Sequence, residues 1–124
     1  MSSNIVRKEL IEECKTKLVA LKSELLNQFI TRRSELSQQE FRGDEIDLSS
    51  SIMAENDALL AQNRIRHQLM EIEFALSRID SGQFGRCEET DEPIEEERLR
   101  AIPWTRLSIE GAELREALST RRKF

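Results

Sequence analysis

Ahead of Gly82 the apolar residues fall on two helical stripes. Ile11, Cys14, Leu18, Leu21 and Leu25 step by three and four, the spacing of a heptad seam. Leu10, Val19, Leu26 and Phe29 widen that seam toward its flanks. Neither Gly nor Pro interrupts the run from Ile5 to Ser37, and most of its residues are good helix formers. A second uninterrupted stretch, from about Leu48 to Ser81, carries Ala58, Gln62, Ile65, Leu69, Ile72, Leu76 and Ile79 in alternating steps of four and three. Two long amphipathic helices are predicted.

The stripes fold onto each other by arithmetic. Ile11 with Ile79, Cys14 with Leu76, Leu18 with Ile72, Leu21 with Leu69 and Leu25 with Ile65 each have residue numbers summing to 90. Antiparallel pairing in that register turns the chain near residue 45, beside Gly43 in SQQEFRGDEID. Each arm of such a hairpin extends roughly 50 Å. Its tip, near residues 38–47, is acidic: Asp44, Glu45 and Asp47 surround Ile46. Asp47 is also placed to cap the second helix. Periodicity alone is equally that of a structural or oligomerising coiled coil with a solvated turn. Clustered carboxylates, however, are not needed merely to reverse a chain.

After Ser81 the composition changes. Gly82 and Gly85 flank Phe84, followed by Cys87 and the acidic run EETDEPIEEE. So little apolar mass lies between Gly82 and Pro103 that the segment needs a metal, a disulfide or a neighbour to lean on. Phe84, Ile94, Leu99, Ile102, Trp104, Leu107 and Ile109 supply a small core expected around Trp104, leaning on the hairpin base and Leu114. The basic C-terminal helix, Arg115 to Lys123, either complements its own dipole or touches a partner. The predicted architecture is mainly α: a long antiparallel coiled-coil hairpin over 1–81, then a small finger-like module with a C-terminal helix over 82–124.

Composition narrows the function. The chain has 124 residues, one domain's worth, with 35% charged, four Gly, two Pro and no Tyr, which argues against an all-β sandwich. No apolar run approaches the roughly 20 residues of a membrane span, and MSSNIVRKEL lacks the apolar core of a secretory signal. Two distant cysteines, Cys14 and Cys87, suit a reducing cytoplasm. A net charge of -5 opposes binding to a phosphate backbone, so a protein partner is expected and sequence-specific DNA binding is not. There is no nucleophile–base pair, phosphate loop or metal triad, and the single histidine, His67, lacks a partner pattern. An enzyme is not expected.

The order helix, acidic tip, helix, Gly82-Gln83-Phe84-Gly85-Arg86-Cys87, then Arg98-Leu99-x-Ala101-x-Pro103 before a terminal helix resembles the DksA/TraR family of bacterial transcription factors. The likeness runs from about Ile5 to the last helix. It implies a cytoplasmic, monomeric protein that binds RNA polymerase at the secondary channel and its rim, inserting the coiled-coil tip to modulate initiation. The family's D-x-x-D-x-A tip motif reads Asp44-Glu45-Ile46-Asp47-Leu48-Ser49 here, which makes Asp44, Asp47 and Ser49 the implied polymerase-active positions. A Gre-like transcript-cleavage factor is a second channel-binding alternative, matched only in its acidic hairpin.

Two family features are altered. The four cysteines of a complete finger correspond to Cys87, Thr90, Ser108 and Gly111, leaving one thiol where structural zinc needs four N or S ligands. Zinc is not expected; Trp104 and Ile102, with Arg98 and Arg100 pairing to Glu95–Glu97, are expected to compensate, and Cys87 to be a remnant. Of the family's basic positions for the alarmone ppGpp, Arg64 and Arg98 match, but others read Glu71, Ile102 and Ala112. A carboxylate where a phosphate must sit implies weak or absent ppGpp dependence.

Overall fold

The computed structural model describes residues 7–41 and 48–122, with side chains for 7–34 and 48–121. Among these described residues four helices follow in order: α1 (Lys8–Phe41), α2 (Leu48–Ser81), α3 (Glu96–Ala101) and α4 (Ile109–Arg122). Among the described residues there is no strand, only an isolated antiparallel bridge between Arg86 and Pro93. The mainly α architecture is therefore as the periodicity predicts.

Both stripes are withdrawn from solvent along their lengths. On α1, Cys14, Leu18 and Leu25 are buried and Ile11 and Leu21 half-buried. On α2, Gln62, Ile65 and Ile72 are buried, with Ala58, Leu69, Leu76 and Ile79 half-buried. The flanks divide differently from expectation. Leu10 is buried, whereas Val19 and Leu26 are 51% and 41% exposed, because a two-helix seam is narrow and leaves its outer flanks to solvent. Ala61 and Ala75 are buried as well; small residues mark close helix approach without a strong hydropathy signal.

Contacts gather the chain into two units, Leu21–Met70 and Met1–Ala20 with Glu71–Phe124. In the first, Leu25, Ala61 and Ile65 are buried, and Gln62 Nε2 donates to the Phe29 carbonyl at 3.4 Å. Residues 29 and 62 sum to 91, one step from the register read in the sequence. The Arg66 guanidinium lies 5.7 Å from the centre of the Phe29 ring. Gln62 Oε1, by contrast, is buried without a hydrogen-bond partner.

The second unit joins the helix ends to the finger-like module. Its core combines Leu10, Cys14 and Leu18 of α1 and Ile72 and Ala75 of α2 with Phe84, Cys87, Ile94 and Leu99. Leu99 is fully buried while Trp104 and Ile102 are only half-buried, so the small core centres on Leu99 rather than on Trp104. The six-residue α3 is too short to stand alone. It is tied to Arg7, just ahead of α1, by Arg7 Nη2 to Glu96 Oε1 at 2.9 Å, and to α1 by Arg100 Nε to Glu13 Oε2 at 3.2 Å. Its last carbonyls, orphaned by the helix end, accept from the Cys14 thiol (Leu99 O, 3.5 Å) and from Lys17 Nζ (Arg100 O, 3.0 Å).

A Schellman motif ends α2. Gln83 N donates to Arg78 O at 2.9 Å and Gly82 N to Ile79 O at 3.2 Å, with Gly82 at φ +77. That left-handed conformation is open to glycine without a Cβ penalty, and it releases the chain from α2 into the module.

Candidate functional site

The module opens with a knuckle built from backbone hydrogen bonds. Ile94 N donates to Gly85 O at 2.8 Å, Cys87 N to Glu92 O at 2.8 Å and Asp91 N to Cys87 O at 2.9 Å. Closing so tight a loop puts Asp91 at φ 60, a conformation Asp tolerates better than most residues. Arg86 Nη1 meets its carboxylate at 3.2 Å. Glu88 N donates to Arg106 O at 2.9 Å, tying the knuckle to the segment that leads into α4.

At the start of α4, Ser108 is the N-cap: its Oγ accepts from Gly111 N at 3.0 Å, satisfying one orphan donor of the helix. Glu95 Oε1 takes Ile109 N at 3.2 Å. The same Ser108 hydroxyl donates to Cys87 Sγ at 3.4 Å. The sulfur is fully buried, and a Cβ placed on Gly111 would meet it at 2.3 Å. Burial pushes the Cys87 thiol up, but the hydroxyls and backbone amides of Ser108 and Thr90 outweigh it and bring the pKa from 9.0 down to about 6. A thiol beside a helix N-terminus is shifted in the same sense. The other cysteine differs: burial, with the Glu13 carboxylate adding to it, raises the Cys14 thiol above its ordinary value.

The structure thus brings Cys87, Thr90, Ser108 and Gly111 to one cradle. Their chemistry is one thiol, two hydroxyls and a residue without a side chain. Structural zinc takes four N or S donors in a tetrahedron, and among the described residues no group of three or more His, Cys, Asp or Glu side chains could hold a metal. This donor set does not fit zinc. Arg98 and Arg100 also behave differently from each other: Arg100 lies 3.8 Å from Glu96, whereas Arg98 Nε donates to the Leu107 carbonyl at 2.7 Å.

A second polar cluster sits where the knuckle meets α2. Arg106 holds Glu71 by Nη2 to Oε2 at 2.6 Å and Nε to Oε1 at 3.1 Å. Its guanidinium lies 5.3 Å from the centre of the Phe74 ring. Arg115 pairs with Glu89 at 2.8 Å and Glu88 at 3.8 Å. Arg78 donates to the carbonyls of Trp104 and Thr105 at 3.4 and 3.5 Å, and burial lowers its pKa. The sequence singled out Glu71 only as a carboxylate at an unexpected position. Its partnership with Arg106, 35 residues away, had no local signal.

Of the residues read as functional at the tip, Asp44 and Asp47 lie outside the described residues, as do Gly43 and Glu45. Ser49 is exposed in the first turn of α2. Arg64 is exposed on α2 within the Leu21–Met70 unit, and Arg98 belongs to the module.

A helical hairpin followed by a C-x-x-C-like knuckle and a terminal helix defines a finger-bearing coiled-coil class. The family model for the prokaryotic dksA/traR C4-type zinc finger matches residues 82–117, the segment holding the cradle. The chain is 35% identical over 109 residues to the RNA polymerase-binding transcription factor DksA of Caulobacter vibrioides, covering 86% of this chain and 75% of that one. An uncharacterised protein of Aquifex aeolicus is 36% identical over 115 residues, covering 87% and 77%. Among solved structures, transcription factor DksA2 from Pseudomonas aeruginosa superposes with a TM-score of 0.84 at 28% identity, over 97% of this chain and 92% of the other. The protein belongs to the DksA/TraR family.

Proposed function

We propose that this protein is an RNA polymerase-binding transcription regulator. The likeness to DksA over most of both chains carries the reading, and the paired seams of α1 and α2 on either side of residues 42–47 support it. In this reading the hairpin over 1–81 enters the secondary channel, with Asp44, Asp47 and Ser49 acting near the catalytic centre. The module over 82–124 and α4 hold the rim. Regulation comes from differential affinity for polymerase states; the chain itself catalyses nothing, and it works in the cytoplasm as a monomer.

The module functions without zinc, because three of the four ligand positions offer no thiol or imidazole. Dependence on ppGpp is weak or absent: Glu71 puts a carboxylate where a phosphate needs a cation, and Arg98 is engaged by a carbonyl.

RNA polymerase holoenzyme on promoter DNA, titrated with wild type and with an Asp44→Asn, Asp47→Asn variant, tests this reading. Binding by both, with shortened promoter-complex lifetimes only for the wild type, is the expected result. Absence of binding by the wild type overturns the proposal. Transcript cleavage in backtracked complexes would point instead to a Gre-like factor, and concentration-dependent oligomers with no polymerase binding to a structural coiled coil. A large, saturable gain with ppGpp would refute alarmone independence.

A further inference from the structure

Gly111 is the third residue of α4, a helical position where glycine is disfavoured relative to alanine. Nothing in its backbone asks for glycine: among the described residues the positive-φ glycines are Gly82 and Gly85. Space explains it. The Cys87 sulfur occupies the volume a Cβ would take, at 2.3 Å, with Glu89 Cβ and Ser108 Oγ both at 3.4 Å. That sulfur also receives the Ser108 hydroxyl, which at its other side accepts from the Gly111 amide. Knuckle, N-cap and helix are thereby linked through one atom, across 21 residues of sequence.

We infer that Cys87 is not a remnant of a metal site but the structural hub that replaces the metal, with Ser108 its donor and Gly111 shaped to admit its sulfur. The inference rests on the metal-free reading above and goes further: it assigns the closing role to three named residues. The hub uses geometry zinc would not. A tetrahedral centre keeps its ligand side chains apart around an ion, whereas here the sulfur itself fills the centre and touches the helix backbone. No covalent or redox step is involved.

Zinc content and thermal midpoints of the intact protein test the inference. The wild type is expected to purify without stoichiometric zinc and to keep its midpoint with a strong chelator or added zinc. Cys87→Ala and Ser108→Ala should each lower the midpoint by about 5 °C or more. Gly111→Ala should lower it in the wild-type background and have little effect in Cys87→Ala, where the obstructing sulfur is gone. That non-additivity survives even if Gly111→Ala alone fails to fold, since the double variant then folds where the single does not. Stoichiometric zinc in the wild type would overturn the metal-free reading and the hub with it. A zinc-free wild type whose midpoint is indifferent to Cys87→Ala, or additive Cys87 and Gly111 substitutions, would overturn the hub alone.

Discussion

Arg106 grips Glu71 with two hydrogen bonds, at 2.6 and 3.1 Å, while its guanidinium carbon lies 5.3 Å from the centre of the Phe74 ring. The two side chains are only 31% and 20% exposed, so screening by solvent is reduced. This pair fastens the segment before α4 to α2. Truncating either partner is expected to cost about 1–2 kcal/mol, and Arg106→Lys nearly as much, because lysine does not provide the two-pronged fork. Urea titrations of the two single variants and the double give the coupling energy; a value near zero would mean the contact contributes only shape.

Gln62 offers the opposite prediction. Its Nε2 reaches Phe29 O, but Oε1 is buried without a partner, a desolvation cost that a hydrocarbon side chain would not carry. Gln62→Leu should raise stability by about 1 kcal/mol. Polar residues inside coiled-coil seams fix register, so the same variant should show a less specific hairpin, visible as added oligomers or exchange-broadened amide signals. A lower urea midpoint would contradict the prediction.

The Cys87 thiol gives stability a pH dependence. Its pKa in the fold, about 6, lies below the ordinary 9.0, so the unfolded chain binds more protons between those values. The contribution is complete above about pH 9 and is lost as pH falls to about 6, with a slope of at most about 1.36 kcal/mol per pH unit. The stability gap between wild type and Cys87→Ala should therefore narrow on going from pH 9 to pH 6. A gap that is constant or widens would show that the sulfur stays protonated throughout.

Gly82 isolates backbone strain from crowding. Nothing stands within 4 Å of a Cβ built on it, yet its φ is +77. Gly82→Ala is expected to cost about 1 kcal/mol from the left-handed conformation alone, with the native helix content kept in far-UV circular dichroism. Loss of helix on substitution would mean that the turn out of α2 organises more than its own few residues.

Much of the fold could be read from periodicity. The seams of α1 and α2 repeat one spacing over many residues, and repetition makes the burial of Leu18, Leu25, Ile65 and Ile72 legible. The flanks were less so: Leu10 and Val19 are alike in hydropathy, and what separates them is the presence or absence of a neighbour contributed from elsewhere in the chain. In the module, large aromatic volume favoured Trp104 as the centre, but position decided for Leu99. The cradle positions Cys87, Thr90, Ser108 and Gly111 were reached only through the family resemblance, since a single cysteine makes no metal-binding spacing. That Ser108 caps a helix and bonds a sulfur at once depends on where α4 begins, and the reason for Gly111 is a clash that exists only in three dimensions.

The last turn of α3 draws its donors from Cys14 and Lys17, made 85 and 83 residues earlier. On a ribosome the receiving surface is synthesised long before the segment it receives. The donors of this contact are therefore synthesised well ahead of its acceptors, and a chain truncated before Leu99 would leave Cys14 and Lys17 without these two carbonyls.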